Sequence, residues 1–258
     1  MLWKIYKSDP EVCHYILGTM HTSTKEAYTF AELAKKYISA TSIYAGEMDL
    51  NQTIDVNLSP FFMLEKGVVF SSFFRPKQYQ KYRKIVFKSF GYDLHSLENY
   101  TPFYISNFLV NLHLKKEHNE PLDHFLWNFA RENGKATYGI ESLKDQIKIL
   151  ENIPLNYQLK TFKDHLKNVS AMKKKIYQLN QMYEQCNLKA LMESTKKSMG
   201  PIRKLMIYDR NESMSKSIVT LFDIQPSFIA VGAAHIPGKK GILSYLKKEG
   251  YKSKKIKL

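Results

Sequence analysis

Cysteine is nearly absent, with Cys13 and Cys186 the only two in 258 residues. They share no C-x-x-C spacing, so neither a disulfide framework nor a zinc-thiolate site is indicated, and both read as free thiols. Long apolar runs are missing as well. No stretch of eighteen apolar residues occurs, which argues against a helical bilayer span, and the opening MLWKIYKSDPEV lacks the apolar core of a signal peptide. The chain is therefore expected to be soluble, without a transmembrane segment, and cytoplasmic by default. Acidic residues are scarce: 24 Asp and Glu stand against 39 Lys and Arg, a net charge of +15. Such a surface attracts phosphate backbones and anionic membranes. The lysines are spread over helical stretches, as at 173–175 and 247–257, without interleaved aromatics or a recognisable nucleic-acid module. A solvated lysine-rich surface is expected, and no nucleic-acid partner.

What the sequence does hold is core. With 44% hydrophobic residues, 258 residues suffice for one large α/β domain and are too few for two comfortable ones, so residues 1–258 are read as a single domain. HYILGTMH is an apolar run ended by Gly18, and Thr22 to Thr24 are placed to cap an amphipathic helix after it. SIYAGEMDL reads as a second strand, parallel to the first and ending on Glu47 and Asp49. Residues 51–134 read as a helical layer or lid, with two aromatic-rich helices each introduced by a proline. The helix that opens near Pro121 ends around Asn133 and Gly134 and feeds a short strand, ATYGI, that delivers Glu141. Residues 143–221 are helical in character, broken chiefly near Pro154 and at Gly200-Pro201. The strand PSFIAVGAAH, a helix GILSYLKKEG and a final strand YKSKKIKL close the chain. The expected fold class is α/β, a mainly parallel sheet flanked by helices with a large helical insertion.

One internal echo matters for function. ILGTMH and AVGAAH are both apolar strands followed by Gly-x-x-His, near opposite ends of the chain, and each leads into a helical pattern. In open α/β sheets, ligands sit outside the carboxyl ends of the strands. His21, Glu47, Glu141 and His235 each close a strand-like run, so parallel strands would bring them to one edge. Gly18 and Gly232 fit a sharp exit from the sheet, since glycine enters φ > 0 or admits close backbone approach. Two imidazoles and a carboxylate form a common metal site with open positions for water. Glu47 is the first carboxylate candidate, either as ligand or as general base. Arg210 and Asn211 are adjacent on a helix, where arginine can bind a carboxylate or stabilise an oxyanion. His14, His95, His113, His118, His124 and His165 lack any matched context and read as ordinary surface or core residues.

Taken in order, LWKI, YILGTMH, GEMD, PLDHFLWNFARENGK, GIESLKDQ, DRNESMSKSI and VGAAHIPGKKGILSYLKKEGY resemble the TraB/GumN family over nearly the whole chain. That family includes pheromone-shutdown and Tiki-like proteins, and its fold is similar to that of the erythromycin-esterase/ChaN-like group. The resemblance implies paired Gly-x-x-His motifs and, for Tiki-like members, a metal-dependent peptidase favouring manganese or cobalt. His21 and His235 match the motif histidines, and Glu47 matches the glutamate after the second strand. Glu141 and Gln146 match the G-x-E-S/T…Q motif, while Arg210 and Asn211 match the RN pair. Ala233-Ala234 departs from the Ala-Gly common in the family, and many members carry a secretion signal or membrane anchor.

The resulting expectation is a metal-dependent hydrolase acting on a peptide or protein. His21, Glu47 and His235 are the metal candidates, for manganese or cobalt with zinc as a third choice. Glu47, Glu141, Arg210 and Asn211 are the catalytic candidates, and Gln146 with Arg210 the substrate-binding ones. The rival expectation is a non-catalytic protein that binds or sequesters a peptide, motivated by the aromatic-rich residues 61–104. Esterase activity follows from fold analogy alone.

Overall fold

The two most apolar runs of the chain lie side by side at the centre of one sheet. The computed structural model of the chain describes residues 1–9, 11–53 and 56–256. Its six strands are β1 (Leu2–Tyr6), β2 (Cys13–Thr19), β3 (Ile43–Met48), β4 (Ala136–Glu141), β5 (Ser227–Gly232) and β6 (Lys252–Lys255). They form one sheet in the order β4-β3-β5-β2-β1-β6. β4, β3, β5 and β2 run parallel, whereas β1 pairs antiparallel with both β2 and β6. Parallel strands covered on both faces read as unbroken apolar runs rather than alternating ones. All six residues of β5 and six of the seven in β2 are accordingly buried.

The helices are α1 (Ala31–Ser39), α2 (Pro76–Phe90), α3 (Pro102–His113), α4 (Leu122–Glu132), α5 (Leu143–Glu151), α6 (Leu155–Lys167), α7 (Val169–Glu184), α8 (Leu188–Met199), α9 (Asp209–Ile224) and α10 (Ile242–Lys248). Among the described residues no helix is long and apolar enough to cross a membrane. The chain divides into two compact units. One comprises Met1–Asp55, Lys115–Ile149 and Leu179–Leu258, and the other Val56–Leu114 and Leu150–Gln178. The first holds the sheet and a core running from Leu2, Ile16 and Leu17 through Tyr44, Trp127 and Phe228 to Leu246. The second is helical, with Phe70, Phe74, Tyr79 and Phe162 at its centre. Its buried Glu98 accepts hydrogen bonds from the Tyr79 hydroxyl and, at 2.9 Å, from the Ser71 backbone N–H. The aromatic stretch that suggested a peptide-binding surface thus places Phe70, Phe74 and Tyr79 in a core, leaving Phe61 and Phe87 exposed.

Several boundaries follow from local chemistry. Thr101 caps α3 by accepting from the Tyr104 N–H, and Pro102 stands in its first turn. Gly91 ends α2 in the left-handed conformation, φ 68°. Two expectations need correction, and one strand was missed. Helix α1 begins at Ala31 without a side-chain cap; Thr24 instead accepts from Ala27 N–H at the start of a 3-10 turn, Ala27–Phe30, that precedes it. The stretch 143–221 breaks at two further places, where Asn168 accepts from Ala171 N–H and Asn187 from Ala190 N–H, each starting a new helix. β1 was not anticipated, since its five residues, LWKIY, offer too short a pattern. Residues 54 and 55 of the anticipated helical layer and 257 and 258 of the anticipated last strand lie outside the described residues.

His14, on β2, is one of the buried polar side chains of this core at 3% exposure. Its ring stacks on Phe222 at 3.9 Å, and its Nδ1 accepts the Ser227 N–H at 3.2 Å, so that nitrogen is unprotonated. Burial pushes its pKa down to about 4. A folded-state pKa below the unfolded one means that the unfolded chain binds more protons between the two values. Stability is then full above about pH 6.5 and falls as the pH drops toward 4. The contribution is about 3 kcal/mol at the acid limit. His14→Gln keeps an acceptor for Ser227 without a titrating ring. In urea unfolding at pH 7, 5.5 and 4.5 it should lose less stability than the wild type, by about that amount. Parallel losses in the two proteins would show that His14 titrates normally.

Candidate functional site

The strand register decides which side chains meet. Thr19 is level with Gly232 across β2 and β5, and Met48 with Glu141 across β3 and β4. The carboxyl ends of all four parallel strands therefore lie on one edge, where the segments after β2 and β5 carry His21 and His235. Pairing between β3 and β5 extends from Ile43↔Ser227 to Ala45↔Ile229. Beyond it, the Glu47 carboxylate takes over: Oε1 accepts the Gly232 backbone N–H at 2.6 Å. A side chain here does what a strand carbonyl does elsewhere in the ladder.

Glu47 is the centre of the arrangement. Its Oε1 lies 3.6 Å from His21 Nε2 and 3.8 Å from His235 Nε2. Its Oε2 accepts from Arg210 Nη2 at 2.7 Å. The same Nη2 reaches Glu141 Oε2 at 2.5 Å, Arg210 Nε donates to Glu141 Oε1 at 3.0 Å, and Nη1 donates to the Met206 carbonyl. Gln146 donates to Glu141 Oε2 at 3.3 Å. The guanidinium that the sequence suggested for a substrate oxyanion is thus engaged by two carboxylates of the protein itself.

Each imidazole is held from behind. His21 Nδ1 lies 2.8 Å from Asp123 Oδ2, and Asp123 Oδ1 accepts from the Thr19 hydroxyl at 2.7 Å. His235 Nδ1 lies 2.6 Å from Asn211 Oδ1, while Asn211 Nδ2 donates to the Lys240 carbonyl at 2.6 Å. The contact to a carbonyl fixes the orientation of the amide, so Oδ1 is the acceptor and His235 Nδ1 carries the proton. Both Nε2 atoms are left facing Glu47. Asp123 is the residue that sequence reasoning missed. It stands in the first turn of α4, 102 residues from His21, and its only local signal is an acid at a helix start, which reads as dipole compensation.

The electrostatics follow from this packing. The Asp123 carboxylate raises the pKa of His21 well above the usual value, with Glu47 adding to it. That ring is 57% exposed, so neighbouring charge rather than burial sets its state. Burial pushes His235 down to about 4 and keeps it neutral. Burial works against the ionised Glu47, but the charged His21 and Arg210 hold its carboxyl well below the usual range. Glu141 is raised by burial despite its bonds to Arg210.

The two motif glycines have a physical reason other than left-handed backbone. Neither belongs to the glycines with positive φ, and Gly232 has φ −54° and ψ 133°. What they provide is close approach. A Cβ on Gly232 would stand 3.0 Å from Glu47 Oε1 and 3.3 Å from His21 Nε2, and one on Gly18 would stand 3.0 Å from Ala233 Cα. Backbone yields less easily than a side-chain tip, so the two substitutions should fail differently. Gly18→Ala should cost about 1–3 kcal/mol in thermal or urea unfolding through overpacking. Gly232→Ala should unfold nearly as the wild type while moving the His21 and His235 ring resonances. Equal destabilisation by both would assign Gly232 to packing rather than to the site.

The sequence profile of the TraB/PrgY/gumN family matches residues 1–255. No curated protein and no solved structure matches the chain. The matched span takes in both Gly-x-x-His segments and every residue of the Glu47 cluster, and the chain belongs to the TraB/PrgY/gumN family.

Proposed function

We propose that this protein is a metal-dependent hydrolase, most plainly a peptidase, with His21 and His235 as the protein's metal-binding imidazoles. The observation that supports this reading is the pair of Nε2 atoms directed at one Glu47 oxygen while both Nδ1 atoms are engaged by Asp123 and Asn211. Metal-ligating histidines are oriented in this way by outer partners. Charge agrees with it: Glu47 and Glu141 share the guanidinium of Arg210, and Asp123 adds a third carboxylate behind His21, so the cluster suits a divalent cation once His21 gives up its proton. Among the described residues, no three His, Cys, Asp or Glu side chains already stand as a metal-holding cluster. The reason is visible at Glu47, whose oxygens are taken by Gly232 N–H and Arg210. We therefore assign the imidazoles to the ion and Glu47 to the proton.

A divalent ion there, manganese or cobalt with zinc as a third candidate, would supply a Lewis acid and activate water near neutral pH. The remaining work falls to the chain. Glu47, kept ionised by Arg210, accepts the proton of the attacking water at Oε1, the oxygen that faces both imidazoles. Glu141 and Gln146 hold Arg210 in place. Asn211 keeps the proton of neutral His235 on Nδ1, leaving Nε2 as a lone-pair donor. The peptide class of substrate rests on the family resemblance; the histidine and carboxylate chemistry rests on the geometry.

In the purified protein, manganese, cobalt or zinc at a hundredfold excess over Kd should raise unfolding free energy by about 2.7 kcal/mol. His21→Ala and His235→Ala should lose that gain, and Glu47→Gln should retain much of it while losing hydrolysis of a peptide library. In metal-free protein, His21→Ala should cost about 1 kcal/mol, because it removes the partner of the Asp123 carboxylate from a partly exposed site. His235→Ala should cost about 1–3 kcal/mol, since it strands the buried Asn211 amide. Absence of any metal-induced stabilisation in a folded wild type, or its survival in both histidine variants, would end the metal assignment. Peptide binding without cleavage would favour sequestration instead.

The outer partners give a second, graded test. Asp123→Asn and Asn211→Ala should each weaken metal affinity by about 10–100-fold without removing a ligand. Unchanged affinity in both would mean that they serve folding alone.

A further inference from the structure

The first unit contains a cavity of about 410 Å³ that the reaction chemistry above does not use. Its walls combine the side of α8, the π-helical turn Lys204–Tyr208 with the residue before it, and the loop that follows His235. Four cationic residues line it, Lys196, Arg203, Lys239 and Lys240, and among the described residues no carboxylate does. Among the described residues none of these four side chains takes part in an ion pair of the protein. Arg203 Nε is buried and has no hydrogen-bond partner. The Arg203 guanidinium and the Lys240 ammonium lie 5.1 Å and 5.2 Å from the centre of the Tyr208 ring, which holds both near the cavity without neutralising either. Like charges gathered in a pocket, one with a buried unsatisfied donor, call for a counter-anion that the chain does not supply.

Position ties the cavity to the candidate centre. Ala234 and Pro237 face the cavity while His235, between them in the chain, belongs to the centre. Tyr208 lines the cavity two residues before Arg210. The Lys240 carbonyl anchors Asn211, and with it His235. The π-helical turn inserts an extra residue just before α9, a feature that recurs at functional sites because it redirects side chains on one helix toward two places. The volume lies within the range of pockets that hold small ligands, and Met192, Ile207 and Pro237 add apolar wall beside the charges.

We propose that this cavity is an anion subsite next to the Glu47 centre, taking the carboxylate of a peptide ligand through Arg203 and the neighbouring lysines. The charge preference rests on the cavity itself; the peptide nature of the ligand rests on the function proposed above. The subsite would favour peptides with an acidic side chain or a free C-terminus.

The test is binding, so it does not depend on turnover. N-acetyl-Ala-Asp-Leu as the free acid, its uncharged counterpart N-acetyl-Ala-Asn-Leu-amide, and inorganic phosphate are titrated calorimetrically into the full chain without added metal. The acid should bind at least ~10-fold more tightly than the amide, with a preference that shrinks as salt rises. Arg203→Met, which keeps the packing of the stem, should abolish most of that preference. Lys239→Gln, on an exposed loop position, should reduce it, and serves as the readout if Arg203→Met does not fold. His21→Ala should keep the preference, so loss of the hydrolase reading and loss of the subsite give different patterns. The proposal is overturned if wild type binds neither peptide or binds both alike, if the variants keep the full preference, or if phosphate binds as tightly as the acid peptide.

Discussion

A carboxylate cannot leave water without replacing it, and the Glu47 side chain is only 11% exposed at the edge of the central strands. Both of its oxygens are matched: one by the Gly232 backbone N–H with the basic His21 ring beside it, the other by Arg210. Arg210 in turn needs Glu141, and Glu141 is steadied by Gln146. The requirement to satisfy one buried charge thus ties together β3, β4, β5, α5 and α9. Removing a member exposes the rest to an uncompensated charge, which is why this edge of the sheet is built from residues far apart in sequence.

The two histidines share an orientation but not an environment. His21 is largely exposed and made basic by Asp123, whereas His235 is buried, neutral and held by an amide. An acid behind one ring and an amide behind the other give the pair unequal affinity for a proton while leaving the same nitrogen of each directed inward. The cationic cavity on the far side of the His235 loop has the opposite polarity.

Much of this was legible along the chain because it is periodic or punctuated. The apolar runs of β2 and β5 announce central strands, prolines and glycines mark the limits of α2, α3 and α4, and the repeated Gly-x-x-His places two imidazoles after two strands. Asn168 and Asn187 were harder to read, since asparagine caps a helix only when its side chain turns back to the backbone, and the same residue is unremarkable in a helix face. β1 and β6 owe their place to pairing with a neighbour rather than to any pattern of their own.

By itself the sequence determined the fold class, the central strands and four strand-end residues, His21, Glu47, Glu141 and His235, because hydrophobic period and glycine placement are local properties. Only the tertiary structure decided that Asp123 and Asn211 stand behind the histidines, that Arg210 is engaged by two acids, and that Gly18 and Gly232 serve close approach rather than left-handed turns. Those outcomes depend on register between strands and on which helix N-terminus packs against which strand end. Distances of 2.7–3.8 Å between residues a hundred or more positions apart leave no periodic trace along the chain.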